Sequence, residues 1–229
     1  MKQVHRPPTL VEAAAESIRH EILRGGLLPG QSLHEVELSK TLNVSRGSVR
    51  EALRLLQQQG LVEVIPYRGA FVARLSPQRV EEIYTLRCLL EPYAVRLCMQ
   101  RGAYTEEDLA EMKSLVARLG ELEKSGDYSE AIETDMRFHH VISRRCGHNL
   151  LLEVLNHLQS LTLMFILNTK LYRSDLVPDD VSHQSIYDGI ISGDAALAEE
   201  IVRKHITDAG TSLMKRMQEG EWEMQAAPA

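Results

Sequence analysis

Residues 134–140 read TDMRFHH and place one aspartate and two histidines in a single short stretch. On a helix, Asp135 and His139 are four residues apart and therefore lie one turn apart on the same face. His140 points about 100° away from that face, because a helix has 3.6 residues per turn. A carboxylate and an imidazole on one face can bind a divalent cation or form an ordinary surface contact. The stretch alone leaves both interpretations open.

Two distant histidines have apolar helical surroundings. His183 lies in VSHQSIYDGI beside Ile186 and Ile190, and His205 lies in EEIVRKHITDAG beside Ile206. A helical bundle can bring side chains from several helices to one interior point. Together with the aspartate–histidine pair, these residues make one carboxylate and three imidazoles, which suit zinc, nickel or a related divalent ion. The alternative is a set of packed histidines in the core.

The elements that must position these side chains are predicted to be helices. After Ser76-Pro77 the apolar residues recur at helical spacing, and glycines separate one periodic segment from the next. Six helices of this length favour an antiparallel α-helical bundle over residues 76–229. The predicted spans are 77–101, 105–124, 128–145, 149–170, 179–192 and 194–218.

Residues 1–75 have a different pattern. A helix that begins near residue 9 ends at Gly25-Gly26, a short helix follows near 34–42, and a third helix lies within 43–60. The segment 61–75 then alternates around Pro66-Tyr67-Arg68-Gly69, which predicts a β-hairpin. The order of helix, helix, turn, helix and hairpin predicts a winged helix-turn-helix domain, so the fold class is mostly α with a small wing.

The third helix of this domain is predicted to read DNA. Asn43 suits a left-handed turn before it, and Ser45 is the predicted N-cap, with Ser48-x-x-Glu51 as an alternative capping box. Its arginines lie four apart on the face opposite the apolar stripe, where they can contact guanines and phosphates in the major groove. The alternative is a solvated basic face. The candidate DNA contacts are Ser45, Arg46, Ser48, Arg50, Arg54, and at the hairpin tip Arg68 and Gly69.

Charge and cysteine content indicate the setting. Residues 1–75 carry ten lysines and arginines against seven acidic residues, a net of +3, whereas residues 76–229 carry 16 against 25, a net of −9. The first part is therefore expected to face a polyanion. The three cysteines form no CxxC pair, which predicts reduced thiols. The first residues lack the features of a signal peptide, and the apolar run 161–167 is too short to cross a membrane. We expect a cytoplasmic protein without a membrane partner.

The stretch VSRGSVREALRLLQQQGLVEVIPYRGAFVA (44–73) resembles the DNA-binding domain of the GntR family of bacterial transcription regulators. The segments DMRFH, HQSIYDGIISGD and VRKHI are similar to the FCD effector domain of the FadR-type branch, so the resemblance covers residues 9–218. Six helices after the wing, rather than seven, match the branch with smaller ligands. Gly47 departs from the family pattern, which has Thr or Ser there, and removes one expected polar contact.

The resemblance implies a set of ligand-binding residues. It places the metal ligands at Asp135, His139, His183 and His205, and it implies that a small carboxylate binds the metal. Arg87 matches an arginine that the family commonly has, and it would neutralise that carboxylate; the alternative is an Arg87–Glu91 pair at i, i+4. Asn168 is a further candidate for the pocket wall.

These patterns predict a metabolite-responsive transcriptional regulator. Two chains would bind a palindromic double-stranded operator as a homodimer. Binding of the effector would release the dimer from the operator, so the protein would act as a repressor. One alternative is a DNA-binding regulator with a purely structural metal. The other is a metal-dependent enzyme, which the sequence disfavours because it has no HExxH motif and no evident general base.

Overall fold

The computed structural model describes residues 9–74, 76–169 and 182–219, with the side chain of Asn168 excepted. The described residues form two compact units, and the division between them follows Arg74. Each unit is built from elements that its own sequence favours.

The first unit is a winged helix-turn-helix, as predicted. Its three strands form one antiparallel sheet in the order β1-β3-β2, so the predicted hairpin gains a short third strand from the loop before α2. The apolar stripe of the third helix is buried at Val49, Leu53 and Leu56. The elements are α1 Leu10–Leu23, β1 Ser32–Leu33, α2 Glu35–Thr41, α3 Arg46–Gln58, β2 Val62–Ile65 and β3 Gly69–Val72.

The start of α3 is set by local chemistry. Asn43 has a φ of 52°, the left-handed conformation that asparagine tolerates. Ser45 is the N-cap, and its hydroxyl accepts a hydrogen bond of 3.0 Å from the backbone N–H of Ser48. The structure therefore selects Ser45 over the alternative capping box. A Cβ at Gly47 would meet only the Ser45 hydroxyl at 3.6 Å, so space does not require the glycine.

The second unit is a helical bundle, as predicted. The described part of residues 76–219 contains six helices. The predicted start of the fifth helix at residue 179 lies outside the described residues, and the described helix begins at His183 after the N-cap Ser182. The elements are α4 Pro77–Gln100, α5 Glu106–Ser125, α6 Tyr128–Ser143, α7 Asn149–Thr169, α8 His183–Ile191 and α9 Ala195–Gln218.

Helices α4 and α9 pack closely along their length. Gly210 permits the approach, because a Cβ there would lie 2.8 Å from Cδ1 of Tyr84. Pro92 lies inside α4 and has no N–H to donate to the carbonyl of Cys88. Arg203 of α9 donates to that carbonyl instead, at 3.1 Å. The helix that carries Arg87 is therefore fixed to the helix that carries one of the candidate metal ligands.

Helix α7 is the most apolar helix of the bundle. The stretch Asn149–Leu167 has 19 residues and a mean hydropathy of 1.6. By length and composition alone, such a helix could cross a membrane. Half of it is buried against the rest of the unit, where Leu151 and Leu155 join a cluster with Ala94 and Cys98. This is the placement of a core helix. The three cysteines are free, as predicted, with Cys88 partly exposed and the other two buried.

Asp108 connects the start of α5 to the end of α6. Its buried carboxylate accepts hydrogen bonds from the backbone N–H of Thr105 at 2.8 Å and from Arg144 at 2.5 Å, and it also pairs with Arg145. Burial opposes ionisation, but these donors outweigh it and hold the pKa of Asp108 well below its usual range. The ionised form therefore stabilises the fold at pH values above the unfolded pKa of about 3.9.

Replacing Asp108 with asparagine is expected to lower the free energy of unfolding by about 2 kcal/mol at pH 7, because charged hydrogen bonds are lost. The folded pKa is depressed, so the wild-type advantage should shrink as pH falls below about 4. Urea denaturation at pH 7 and between pH 3 and 5 measures both effects. The control is Glu121→Gln, which breaks an exposed pair with Arg118. A constant difference across this pH range would contradict the assignment.

Candidate metal centre and nucleic-acid interface

The four predicted metal ligands lie on three helices of the bundle. Asp135 and His139 occupy successive turns of α6, His183 is the first residue of α8, and His205 lies in the middle of α9. One potential ligand atom from each residue lies within 4.8 Å of those of the other three. Among the described residues, this is the one group of His, Cys, Asp or Glu with that arrangement. Side chains that are up to 70 residues apart in the chain are thus brought to one point.

The cluster is compact and largely buried. Oδ1 of Asp135 lies 2.6 Å from Nε2 of His183 and 4.0 Å from Nε2 of His139. The ring centroids of His183 and His205 are 4.6 Å apart, and those of His139 and His205 are 5.2 Å apart. Asp135, His139 and His205 are buried, whereas His183 is partly exposed at the end of its helix. The side chain of His183 on α8 is therefore more exposed than that of Asp135, at 17% against 11%.

The donor set fits a divalent cation. Nε2 of His183 is buried, and no described residue meets it in hydrogen-bonding geometry despite the short distance to Asp135. Burial opposes ionisation of Asp135, but His183 and the other two imidazoles hold the pKa of its carboxyl well below its usual range. The cluster therefore offers one anion and three imidazoles, a combination that zinc, nickel and related ions accept.

Arg87 is buried in the interior of the bundle and pairs with Glu91. Its Nε donates to Oε1 of Glu91 at 2.6 Å, and its guanidinium lies 5.2 Å from the ring centroid of Tyr84. The alternative proposed for Arg87 is thus present in the structure. The hydrogen bond to Glu91 uses Nε of Arg87, and the two terminal nitrogens of the guanidinium take no part in it. Oε2 of Glu91 lies 2.7 Å from Nδ1 of His139, so the pair adjoins the candidate metal centre.

The structure separates other residues from the centre, as predicted. Arg137 pairs with Glu111 at 2.7 Å and faces away from the cluster. Nδ1 of His140 lies 3.2 Å from Oδ1 of Asn156, on another face of α6. Asn168 lies on α7, but its side chain lies outside what the structure describes, as does His5. The remaining histidines are exposed or partly exposed, namely His20, His34, His148 and His157.

The candidate DNA-binding residues are exposed or partly exposed on α3 and the wing. Arg46 is exposed and has no ion pair among the described residues. Arg50 forms a two-point pair with Glu35 of α2, at 2.8 and 2.6 Å, and Arg54 pairs with Glu51 at 2.7 Å. The sequence alone does not indicate Glu35, because it lies 15 residues from its partner Arg50. Both pairs are exposed and therefore weak enough to exchange for DNA contacts.

The tip of the wing has an unusual backbone. Tyr67 has a φ of 62°, which a non-glycine side chain rarely adopts, and its side chain is fully exposed. It precedes Arg68, which is exposed, and Gly69, which has a φ of 103°. The strain at Tyr67 is not offset by packing of its ring. Such strain is concentrated at functional sites, which makes Tyr67, beside Arg68, a further candidate for DNA contact.

Two substitutions of Tyr67 distinguish the backbone strain at this residue from its contribution to DNA binding. Tyr67→Gly is expected to raise the free energy of unfolding by up to about 1 kcal/mol relative to Tyr67→Ala, because alanine keeps the left-handed strain. Both variants should lose about 1 kcal/mol of DNA affinity for each wing, since both remove the phenol. Urea denaturation and fluorescence anisotropy with duplex DNA measure the two effects. Unchanged DNA affinity in both variants would refute a role for the tyrosine.

Two family models match the chain, one for each unit. The model of the bacterial regulatory proteins of the gntR family matches residues 10–72, and the FCD domain model matches residues 82–208, more than half of the chain. A regulator in an unstable DNA locus of Streptomyces ambofaciens is 33% identical over 199 residues, which cover 82% of this chain and 78% of that protein. The transcriptional repressor GlaR of Escherichia coli is 29% identical, with coverage of 82% and 89%.

A solved structure shares the fold. E. coli McbR/YncC superposes with a TM-score of 0.73 at 21% identity, covering 92% of this chain and 100% of that one. The matched families and relatives are regulators of transcription. The chain therefore belongs to the GntR family of bacterial regulatory proteins, carries an FCD domain as its second unit, and is a transcriptional regulator rather than an enzyme.

Proposed function

We propose that this protein is a cytoplasmic, homodimeric repressor that releases its operator when a small carboxylate binds in the FCD bundle. The observation that carries this proposal is the convergence of Asp135, His139, His183 and His205 from three helices. The family provides DNA binding, and the cluster provides a place at which a metabolite can be sensed. The name of GlaR, a transcriptional repressor, supports repression over activation.

The DNA-binding unit supports recognition of a palindromic operator. Helix α3 would enter the major groove with its N-terminal residues nearest the bases. Arg46 and Arg50 occupy that end of the helix and are both exposed. Two copies related by a twofold axis would read two half-sites, so the symmetry of the operator would match that of the dimer.

The bundle supports recognition of an anion. Asp135, His139, His183 and His205 would hold zinc or nickel. When bound, the ion would supply open coordination positions for a carboxylate, since four protein ligands do not fill an octahedron. The terminal nitrogens of Arg87 provide a second positive group beside the centre. A buried carboxylate needs such a cation, because an unpaired buried charge is costly.

Effector binding can change operator affinity only if the carboxylate prefers one arrangement of the dimer. The candidate ligands belong to α6, α8 and α9, and α9 packs along α4, the helix that follows the wing in the chain. A ligand that draws these helices together would therefore act on the helix from which the DNA-binding unit extends. The proposed coupling runs through α4.

Thermal melting against small carboxylates, sugar acids and amino acids, each with and without a chelator, tests the effector proposal. Stabilisation follows the ratio of ligand concentration to dissociation constant, so weak binders at high excess are visible. We expect one class of acid to raise the melting temperature and the chelator to abolish that rise. If the chelator lowers the melting temperature but no acid changes it, the metal is structural and Arg87 has no effector role.

A further inference from the structure

Glu91 lies between Arg87, the candidate cation for the effector carboxylate, and the candidate metal centre. Its side chain is fully buried on α4, and each of its two oxygens contacts a different group. Oε1 accepts from Nε of Arg87 at 2.6 Å, and Oε2 lies 2.7 Å from Nδ1 of His139. Oε2 and Nδ1 lie within hydrogen-bonding distance of each other, but neither atom has a partner in hydrogen-bonding geometry among the described residues. One carboxylate is thus shared by an arginine and a metal-ligand candidate.

The carboxylate of Glu91 is paired with a permanent positive charge. The guanidinium of Arg87 donates from Nε to Oε1 of Glu91 at 2.6 Å, and both side chains are buried. An ionised carboxylate can only accept hydrogen bonds, and an arginine can only donate them. The orientation of the side chain is therefore fixed, with one oxygen available to Arg87 and the other to His139.

A carboxylate beside Nδ1 determines which nitrogen of His139 is free. The neutral imidazole carries one proton, and a carboxylate at 2.7 Å favours that proton on Nδ1. The lone pair then lies on Nε2, the nitrogen 4.0 Å from Asp135 and directed at the cluster. Metal-binding histidines are commonly held in this way, and loss of the outer partner weakens metal binding.

We propose that Glu91 is a positioning residue for the metal centre: it holds His139 in the tautomer that binds metal and links this histidine to Arg87. The proposal rests on the proposed metal site. The buried Arg87–Glu91 pair then has a role in sensing the effector. If Arg87 moves toward a bound carboxylate, the movement acts on Glu91, which orients His139.

Glu91→Gln tests this role because Arg87 dictates how the amide is placed. Arg87 offers only N–H groups, so the amide oxygen must face it and the amide NH₂ must face Nδ1 of His139. That arrangement requires the proton of His139 on Nε2, the wrong nitrogen for the centre. We expect the affinity for Zn²⁺ or Ni²⁺ to fall by roughly 10- to 100-fold. Competition with a chromophoric chelator in carboxylate-free buffer measures it.

A second pair of variants separates positioning from loss of a buried charge. In Arg87→Met/Glu91→Gln the amide is free to turn its oxygen to His139, whereas in Arg87→Met/Glu91→Leu no acceptor remains. Both double variants lack the ion pair, and apolar replacement of buried pairs is commonly tolerated. We expect the glutamine double variant to bind Zn²⁺ at least tenfold more tightly than the leucine one, and more tightly than Glu91→Gln alone. This comparison holds even if Glu91→Gln does not fold.

Asp108→Asn is the matched control, since it also removes a buried carboxylate that pairs with arginine. The partners of Asp108 are Arg144 and Arg145, and neither is a candidate metal ligand. It should leave Zn²⁺ affinity unchanged. If the two double variants bind Zn²⁺ equally tightly, or if Glu91→Gln binds it as tightly as the wild type, Glu91 does not position His139. Either result would leave the proposed metal site intact. If the wild-type protein binds neither Zn²⁺ nor Ni²⁺, the metal site of the proposed function fails instead.

Discussion

His183→Ala is expected to reduce affinity for Zn²⁺ or Ni²⁺ by more than the roughly 10- to 100-fold that loss of an outer-shell partner causes. His183 is the sole candidate ligand from α8 among the described residues, and its Nε2 lies 2.6 Å from Asp135. It is also the first residue of its helix and partly exposed, so its removal should disturb packing least of the four. Isothermal titration calorimetry of the metal-free protein measures the affinity.

The melting temperature provides a second measure of the same variant. Metal at 100 times its dissociation constant stabilises the folded state by about 2.7 kcal/mol, so Zn²⁺ should raise the melting temperature of the wild type. The rise should be absent in His183→Ala and present in His140→Ala, which removes the neighbouring histidine that faces Asn156. A wild-type response in His183→Ala would show that the cluster is not the metal site.

Arg50→Ala is expected to weaken operator binding by about 1–3 kcal/mol for each half-site, the value of a two-point contact with a base. Arg50 lies in the second turn of α3, and its pair with Glu35 uses Nε and one terminal nitrogen. The other terminal nitrogen takes no part in that pair, and the side chain is exposed. The variant should also leave Glu35 without its partner, which adds repulsion from the phosphates. Fluorescence anisotropy with duplexes selected from a random library measures the affinity.

Arg216→Ala is the control, because Arg216 lies on α9 in the bundle. Substitutions at a base-reading arginine should also relax sequence preference at one position of each half-site, whereas loss of a phosphate contact weakens all sequences alike. An equal loss of affinity in Arg50→Ala and Arg216→Ala would contradict the assignment of α3 as the recognition helix.

The helices and the wing could be predicted from the sequence because their signals are local. Apolar spacing, the N-cap Ser45 and the left-handed Asn43 lie within a few residues of the features they determine. The aspartate–histidine pair on α6 was equally readable from the helical period. The two histidines on other helices needed the family resemblance, because spacing along the chain does not show which helices meet.

The remaining features depend on contacts between distant segments. The strand at 32–33 forms only by pairing with β3, and two residues leave no periodic signal. The pair of Glu35 with Arg50 and the contact of Glu91 with His139 join different helices. The positive φ of Tyr67 follows from the hairpin turn rather than from tyrosine itself. The i, i+4 spacing of Arg87 and Glu91 did indicate their pairing, but not that the carboxylate is shared.

In the proposed function, a carboxylate at the metal centre controls operator affinity. The most direct measurement is the affinity of the metal-loaded protein for its operator, with and without the acid that raises its melting temperature, repeated after removal of the metal and with His183→Ala. We expect the acid to weaken operator binding of the metal-loaded wild type by at least about fivefold, a coupling of about 1 kcal/mol, and to have no effect in the other two cases. An equal effect of the acid without metal, or no effect with it, would show that the metal centre is not the sensor.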